Sequence, residues 1–350
     1  ACPEWGRHQS HAWEPSPRGT WPALDTPPCT IGGPSPRPDP MCYSALVHVE
    51  FKRFIRQFGA RIDFDAYLQR YWIDAGRDPF DGKRKRPRAP RAMERELLAD
   101  GPPELADLVR RWDAAETAQL EQEVFAQTRR RADAERKLAV KETKKARDDV
   151  RIAGDKIERA KARLATLKGT TSRDDGRIYP QSLCPVLVVE NGERVVRPMR
   201  YQCRLPGWTE AVERQYPGTY NARRDKLDTS WRGVFGHTHG LVIATAFYEH
   251  VERDGQNVIL EFRPEDGRDM LVACLYTRCT DSDGRPLYTF AAVTDEPPAE
   301  VAATGHDRCI VPIKSDAVDA WLSPSADGLE ALHGVLEDRE RPVYGHRMAA

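Results

Sequence analysis

The sequence predicts an α+β protein, with helices gathered in the first half of the chain and strands in the second. Three observations carry that prediction. Apolar residues recur three and four apart between positions 45 and 76, among them Phe51, Phe54, Ile55, Phe58, Tyr67 and Tyr71. No Pro or Gly follows Pro103, a favourable first helical residue, until after Ile152, and the charged segment containing this run extends to Gly169. Beyond Gly169 the chain becomes a series of short β-type runs separated by turn signals.

Taken in order, residues 1–40 hold ten prolines, which rules out a helix or a central strand and predicts a disordered extension. Residues 45–76 are expected to be helical. A basic run follows, "GKRKRPRAPR", with six Lys or Arg between 83 and 91; a solvated linker is the default reading and phosphate contact the alternative. The segment to Gly169 reads as a long exposed helix or helical hairpin, since its apolar stripe thins after Phe125 and no a/d heptad is sustained. In "CPVLVVENGERVVRPMRYQCRL", Asn191-Gly192 marks a hairpin turn between two strands. "GLVIATAFYEHV", "NVILEFRPEDGRDMLVACLYTRC", "LYTFAAVT" and "CIVPI" supply further strands, and a helix is expected near 315–322. The expected organisation is an extension at 1–40, one domain over 41–335 interrupted by a helical insertion at 91–168, and a tail at 336–350.

Composition narrows the function classes. The 54 basic and 54 acidic residues cancel, so any nucleic-acid site must be a local patch rather than a whole-protein field. No run of about 18 apolar residues is present, and the N-terminus lacks an apolar signal core, which argues against a membrane span and against secretion. Eight cysteines without a C-x-x-C pair suggest neither a zinc ribbon nor a disulfide framework, and reduced thiols in the cytoplasm fit best. His237-x-His239 lacks a third ligand and sits between glycines, so a loop is the better reading than a metal site. No cofactor is expected.

Four short pieces point to chemistry: "MC" at 41–42, "PGW…YNAR" at 206–223, "AFYEH" at 246–250 and "GHDRCIVP" at 305–312. Their order and spacing resemble the SRAP family, the SOS response-associated peptidases that act at abasic sites in DNA. "VRPMRYQCRLPGW" is similar to the family's strand leading into Pro-Gly-Trp, and "DAWLSP" at 319–324 stands where the family has Trp-Leu. The resemblance covers roughly residues 41–80 and 176–324. No single motif is specific; their joint order is. This chain also departs from the pattern. Tyr43 and Ser44 follow Cys42 where the family has Gly-Arg, so one phosphate-binding Arg is missing. Thr245-Ala246 replaces Asp-Gly, His250 replaces Trp, and Cys309-Ile310 replaces the usual Met-Pro or Arg-Pro.

The resemblance implies a mainly antiparallel, barrel-like sheet with flanking helices. It also implies covalent capture of abasic sites in single-stranded DNA, shielding the lesion in the DNA-damage response. An N-terminal Cys suits that chemistry: its α-amine forms a Schiff base with the C1′ aldehyde, and its thiol closes a thiazolidine. The free amine and thiol titrate near 7.7–8.0 and about 8.5, so both nucleophilic forms are accessible at neutral pH. Cleavage after Met41, or initiation at it, would expose Cys42. Glu249 is then the expected general acid/base, His306 a second proton carrier, and Asn221 a holder of the opened sugar. Arg223 and Arg308 are expected on phosphates, and Trp208 as a stacking face for a base.

Each residue has a plainer role available: Cys42 as a small buried residue, Glu249 as an edge-strand residue, Trp208 as a core anchor, Arg308 as a salt-bridge partner, His306 as a turn cap. Two other functions compete with capture. One is a thiol peptidase that removes its own N-terminal extension, and the other a non-catalytic nucleic-acid-binding module. A lyase-type activity at the abasic site belongs with the enzymatic readings. The expected location is cytoplasmic and nucleoid-associated, with the helical insertion available to a protein partner.

Overall fold

The computed structural model describes residues 44–73, 85–253, 255–325 and 328–349. The Pro-rich stretch 1–40, Met41 and Cys42 lie outside the described residues. The first part holds β1 (Ser44–Val47), α1 (Phe51–Phe58), β2 (Arg61–Ile62), α2 (Phe64–Tyr71), α3 (Arg91–Asp100), α4 (Pro103–Val140) and α5 (Lys144–Leu167). The second part holds β3 (Arg177–Ile178), β4 (Leu183–Glu190), β5 (Glu193–Tyr201), α6 (Glu210–Gln215), β6 (Asn221–Arg223), β7 (His239–Arg253), β8 (Gln256–Pro264), β9 (Met270–Thr280) and β10 (Pro286–Asp295). The chain closes with α7 (Ala299–Ala302), β11 (Cys309–Ile310), α8 (Val318–Leu322), α9 (Leu329–Glu337) and β12 (Tyr344–Met348). The α+β expectation holds.

Residues 45–76 are not one helical stretch. The 3.6-residue period correctly marked Phe51, Phe54, Tyr67 and Tyr71 as buried, but Ile55 is 49% exposed. Gly59, at φ 60°, ends α1 with its N–H on the Ile55 carbonyl, a left-handed cap that Gly adopts without steric cost. Asp63 restarts the chain as α2 by accepting from the Ala66 N–H at 3.1 Å. Ahead of both, β1 pairs with β7 and β3 instead of joining a helix.

Strands β4, β5, β10, β9 and β7 close into a barrel. β4 and β5 form an antiparallel hairpin through Asn191 and Gly192, whose φ of 51° and 80° make the expected left-handed turn. β5 meets β10 in parallel at Arg200↔Thr289, β10 and β9 pair antiparallel, and β9 pairs with the first half of β7. Leu187↔Leu241 completes the ring between β4 and β7. A Cβ on Gly240 at this seam would lie 2.8 Å from Val186 Cγ1, so the strands close there because the side chain is missing. Helices cover the outside, which is why "LCPVLVV" and "GLVIATAF" are apolar without alternation. Past the barrel, the second half of β7 pairs with β8 on one edge and with β1 on the other, and β8 pairs with β12. The stretch from 336 onward thus carries the end of α9 and a strand that buries Tyr344.

The long charged segment is a hairpin of α4 and α5. It breaks without Pro or Gly: Thr143 Oγ accepts from the Ala146 N–H at 3.2 Å and starts α5, while Gly154 lies inside a helix. The seam is lined by Ala134, Ala146, Ala153 and Ala160, small residues that let the helices approach closely. The base of α4 is anchored. Leu105, Leu108, Val109 and Trp112 are buried in the core, and the Trp112 indole donates to the Tyr71 carbonyl at 2.9 Å.

The basic run is not a solvated linker where it is described. Arg86 reaches Glu94, Asp113 and Glu116 at 2.6–2.7 Å, and Arg91 reaches Glu94 and Asp113 at 2.9 Å. Arg163 of α5 joins Glu116 at 2.6 Å, fixing the hairpin base. Deleting Gln119–Ala160 and bridging Ala118 to Lys161 with a short Gly/Ser turn is therefore expected to leave a folded protein. Trp112→Ala should cost about 3–5 kcal/mol. Thermal melts of the two variants check this, and equal destabilisation by both would overturn the assignment of the anchor.

Candidate active site

The alternation of β7 decides which of its side chains enter the core. Phe247 stacks on Phe262 at 5.0 Å and meets Tyr344 edge-on at 5.1 Å. Two residues on, Glu249 lies on the same face, opposite Leu260 in β8, and is fully buried. A bare carboxylate there would be costly without a partner. The partner comes from the loop between α7 and β11, where Gly305 at φ 92° turns the chain into His306. His306 Nε2 lies 2.8 Å from Glu249 Oε2, with both side chains fully buried. The contact is close enough for direct charge interaction, and both groups are sealed from solvent. The other ring nitrogen, Nδ1, is 3.0 Å from the Arg308 carbonyl, which accepts when Nδ1 carries a proton. Burial alone would lower the His306 pKa. The Glu249 contact outweighs it, with help from the Arg308 carbonyl, and the net shift is upward from 6.5.

Asn221 and the two predicted phosphate arginines are gathered by one strand. The last residues of β10 pair in parallel with β6 (Ala292↔Asn221, Thr294↔Arg223) and antiparallel with β11 (Thr294↔Ile310, Asp295↔Cys309). The "NAR" and "HDR" motifs are thereby set on the two edges of β10. Asn221 is buried. Arg223 makes a two-pronged contact to Asp225 at 3.0 Å through both Nε and a terminal nitrogen. That bond, with further pull from Lys226 and Arg308, holds the Asp225 carboxyl below its usual range. Arg308 keeps 13% of its side chain exposed and lies 3.8 Å from Asp307.

Trp208 lies in the loop between β5 and α6. Leu205-Pro206-Gly207-Trp208 forms a tight turn, with the Trp208 N–H on the Leu205 carbonyl at 3.0 Å and Gly207 at φ 78°. Its half-buried indole packs on Tyr216, itself 50% exposed, at 5.2 Å between ring centres. Cys42 lies outside the described residues, but Ser44 is held opposite Tyr248, the residue before Glu249.

Cys184, Cys203, Cys274 and Cys309 are buried and Cys279 half-buried, and burial pushes every one of these thiols up, Cys203 to about 12. None is poised as a nucleophile. His239 is buried against Trp321 at 4.1 Å, its pKa lowered to about 3 by burial, and its Nε2 accepts from the Gly236 N–H at 2.9 Å. It is a structural residue. No group of three metal-ligating side chains occurs among the described residues, and no described helix is long and apolar enough to cross a membrane.

Sequence reasoning missed Arg177. Its Nε donates to Ser44 Oγ at 3.0 Å, and its guanidinium lies 3.5 Å from the centre of the Tyr248 ring. The one signal for it was the empty place after Cys42, where the motif would carry Arg.

Residues 139–346 match the family described as SOS response associated peptidase (SRAP). The match includes every candidate residue above except Cys42. Abasic site processing protein YoqW of Bacillus subtilis (strain 168) is 26% identical over 136 residues, which span 38% of this chain and 60% of YoqW. The protein of that name from Bacillus phage SPbeta matches to the same extent. The chain therefore spans about three-fifths of the length of these relatives. Among solved structures, a protein from Bordetella bronchiseptica aligns with a TM-score of 0.43 at 20% identity, over 50% of this chain and 87% of that one. A protein from Bacteroides thetaiotaomicron aligns at 0.42 and 15% identity, over 54% and 88%.

Proposed function

The chain belongs to the SOS response associated peptidase (SRAP) family, and on that premise we propose that it processes abasic sites in single-stranded DNA by covalent capture through Cys42. The observation that carries the proposal is the buried Glu249–His306 pair at 2.8 Å, on the strand that also holds Ser44 two residues from Cys42. Ser44, two residues after Cys42 in sequence, pairs with Tyr248, the neighbour of Glu249 on β7.

The reaction has a defined proton traffic. The ring-opened sugar presents a C1′ aldehyde, and the Cys42 amine adds to it. The carbinolamine then loses its hydroxyl as water, and the thiol adds to the imine carbon to close a thiazolidine. Aldehyde and cysteine give thiazolidine plus one water. Glu249 accepts the proton shed by the attacking amine, and the His306 imidazolium supplies the proton that leaves with the hydroxyl. Asn221 orients the opened sugar, Arg223 and Arg308 neutralise flanking phosphates, and Trp208 with Tyr216 offers an aromatic face to a base. The bond from Arg223 to Asp225 must be exchanged for the phosphate, so this arginine serves binding only in the complex.

The test compares a chain beginning at Cys42 with one that retains residues 1–41. Each is mixed with a single-stranded oligonucleotide carrying an abasic site, then denatured. The first should give a denaturant-stable adduct whose mass falls on the peptide starting at Cys42. Equal yield from the longer chain with its extension intact would overturn the proposal, because a peptide nitrogen cannot form the imine. Loss of the extension without any adduct would assign the site to self-cleavage.

A further inference from the structure

The face of the second half of β7 opposite Phe247 and Glu249 carries a built row of charge, in which Ser44, Tyr248 and Glu261 are buried. Register sets Ser44 opposite Tyr248, Tyr248 opposite Glu261, and Glu261 opposite Arg347, so these four side chains line up across β1, β7, β8 and β12. Four strands at about 4.8 Å spacing make the row ~14 Å long. Arg173, Arg263 and Arg347 all pair with the buried Glu261. Arg177 stacks on Tyr248 and lies 3.7 Å from Asp174, which also accepts from the Tyr248 hydroxyl at 3.2 Å. Four arginines against Glu261 and Asp174 leave a local excess of two positive charges (4 − 2) in a chain whose net charge is zero.

Within this row Arg177 is distinct. Its side chain is 5% exposed, and one terminal guanidinium nitrogen is buried with no hydrogen-bond partner. A buried, charged donor left unsatisfied is costly, and an anion is the ligand that satisfies it. Its Nε is already on Ser44, the position where the family motif carries its phosphate-binding Arg.

We propose that Arg177 binds a backbone phosphate of the DNA strand beside Ser44, delivering from β3 the guanidinium that the Cys-Tyr-Ser sequence lacks. Arg173 and Arg347, about half exposed, continue the contact along the row. The inference rests on the proposed reading that single-stranded DNA occupies this site. It adds a phosphate subsite of different origin from the motif arginines.

The test uses non-covalent binding of an undamaged single-stranded oligonucleotide, followed against salt concentration. Removing one phosphate contact lowers the slope of log K on log salt by about 0.7 for a single strand. Arg177→Gln is expected to lower it by that amount and to weaken binding roughly tenfold at low salt. Adding Ser44→Arg to Arg177→Gln should restore the slope, because it places a guanidinium from the motif position. A folded Arg177→Gln with the wild-type slope overturns the proposal, and so does a folded double variant that fails to restore it. Should burial make Arg177→Gln unfold, the half-exposed Arg173→Ala decides: a lowered slope supports the phosphate row and an unchanged slope overturns it. Wild-type protein that does not bind the oligonucleotide at all overturns the proposed function itself, a result distinct from binding that ignores Arg177.

Discussion

Cys42→Ala is expected to abolish the denaturant-stable adduct while leaving non-covalent binding to the abasic strand within about twofold of wild type, roughly 0.4 kcal/mol. The alanine keeps the α-amine and removes the thiol. The imine still forms, but it hydrolyses on denaturation because no ring closes. Cys42→Ser separates the steps further: borohydride reduction during the reaction should trap its imine as a stable secondary amine. The described cysteines do not substitute for Cys42, since burial raises all their thiol pKa values. A full adduct yield from Cys42→Ala, read on a denaturing gel, would remove Cys42 from the chemistry.

Glu249→Gln is expected to slow adduct formation by about 10²–10⁴ with little change in binding, the range for a lost general acid–base catalyst. The amide keeps the shape of the carboxylate and cannot carry the proton. The same variant should alter the response to pH. His306 has a folded pKa raised above 6.5 by Glu249, so the pair's contribution to stability is full below 6.5 and is lost as pH rises through the higher folded value. In Glu249→Gln the raising charge is gone, and the melting temperature should lose that decline above pH 6.5. Rate loss together with a flattened melting profile supports the assignment. A variant that crosslinks at the wild-type rate would show that Glu249 only neutralises a buried imidazole.

Much of the architecture was legible in local signals. The Asn191-Gly192 turn, the apolar run of β7 and the run of α4 without Pro or Gly after Pro103 each identify an element without reference to the rest of the chain. Three features were not legible, each for a physical reason. β1 lies within a window whose apolar spacing also fits a helix, and only its pairing with β7 and β3 decides between them. Arg86 and Arg91 look like a solvated basic run because their partners Asp113 and Glu116 lie on another helix. The row from Ser44 to Arg347 depends on the register of three strand pairs, which no short window of sequence records. The candidate site was visible as separate motifs in order. The contact between Glu249 and His306 was not, since nothing in either motif states that β7 and the loop before β11 meet.

β10 gives the site a place in time as well as in space. Its final residues hold β6 on one edge and β11 on the other, so both edges of the site are in place only after Ile310 has docked. Between Ser44 and Ile310 a ribosome adds 266 residues (310 − 44). At ~5–20 residues per second, about 15–50 s separate the first strand from the last. Throughout that interval the nascent chain has its amino-terminal portion without the imidazole that is to face Glu249. A chain stalled or cut before residue 306 therefore has no Glu249–His306 contact, however well its early helices have formed.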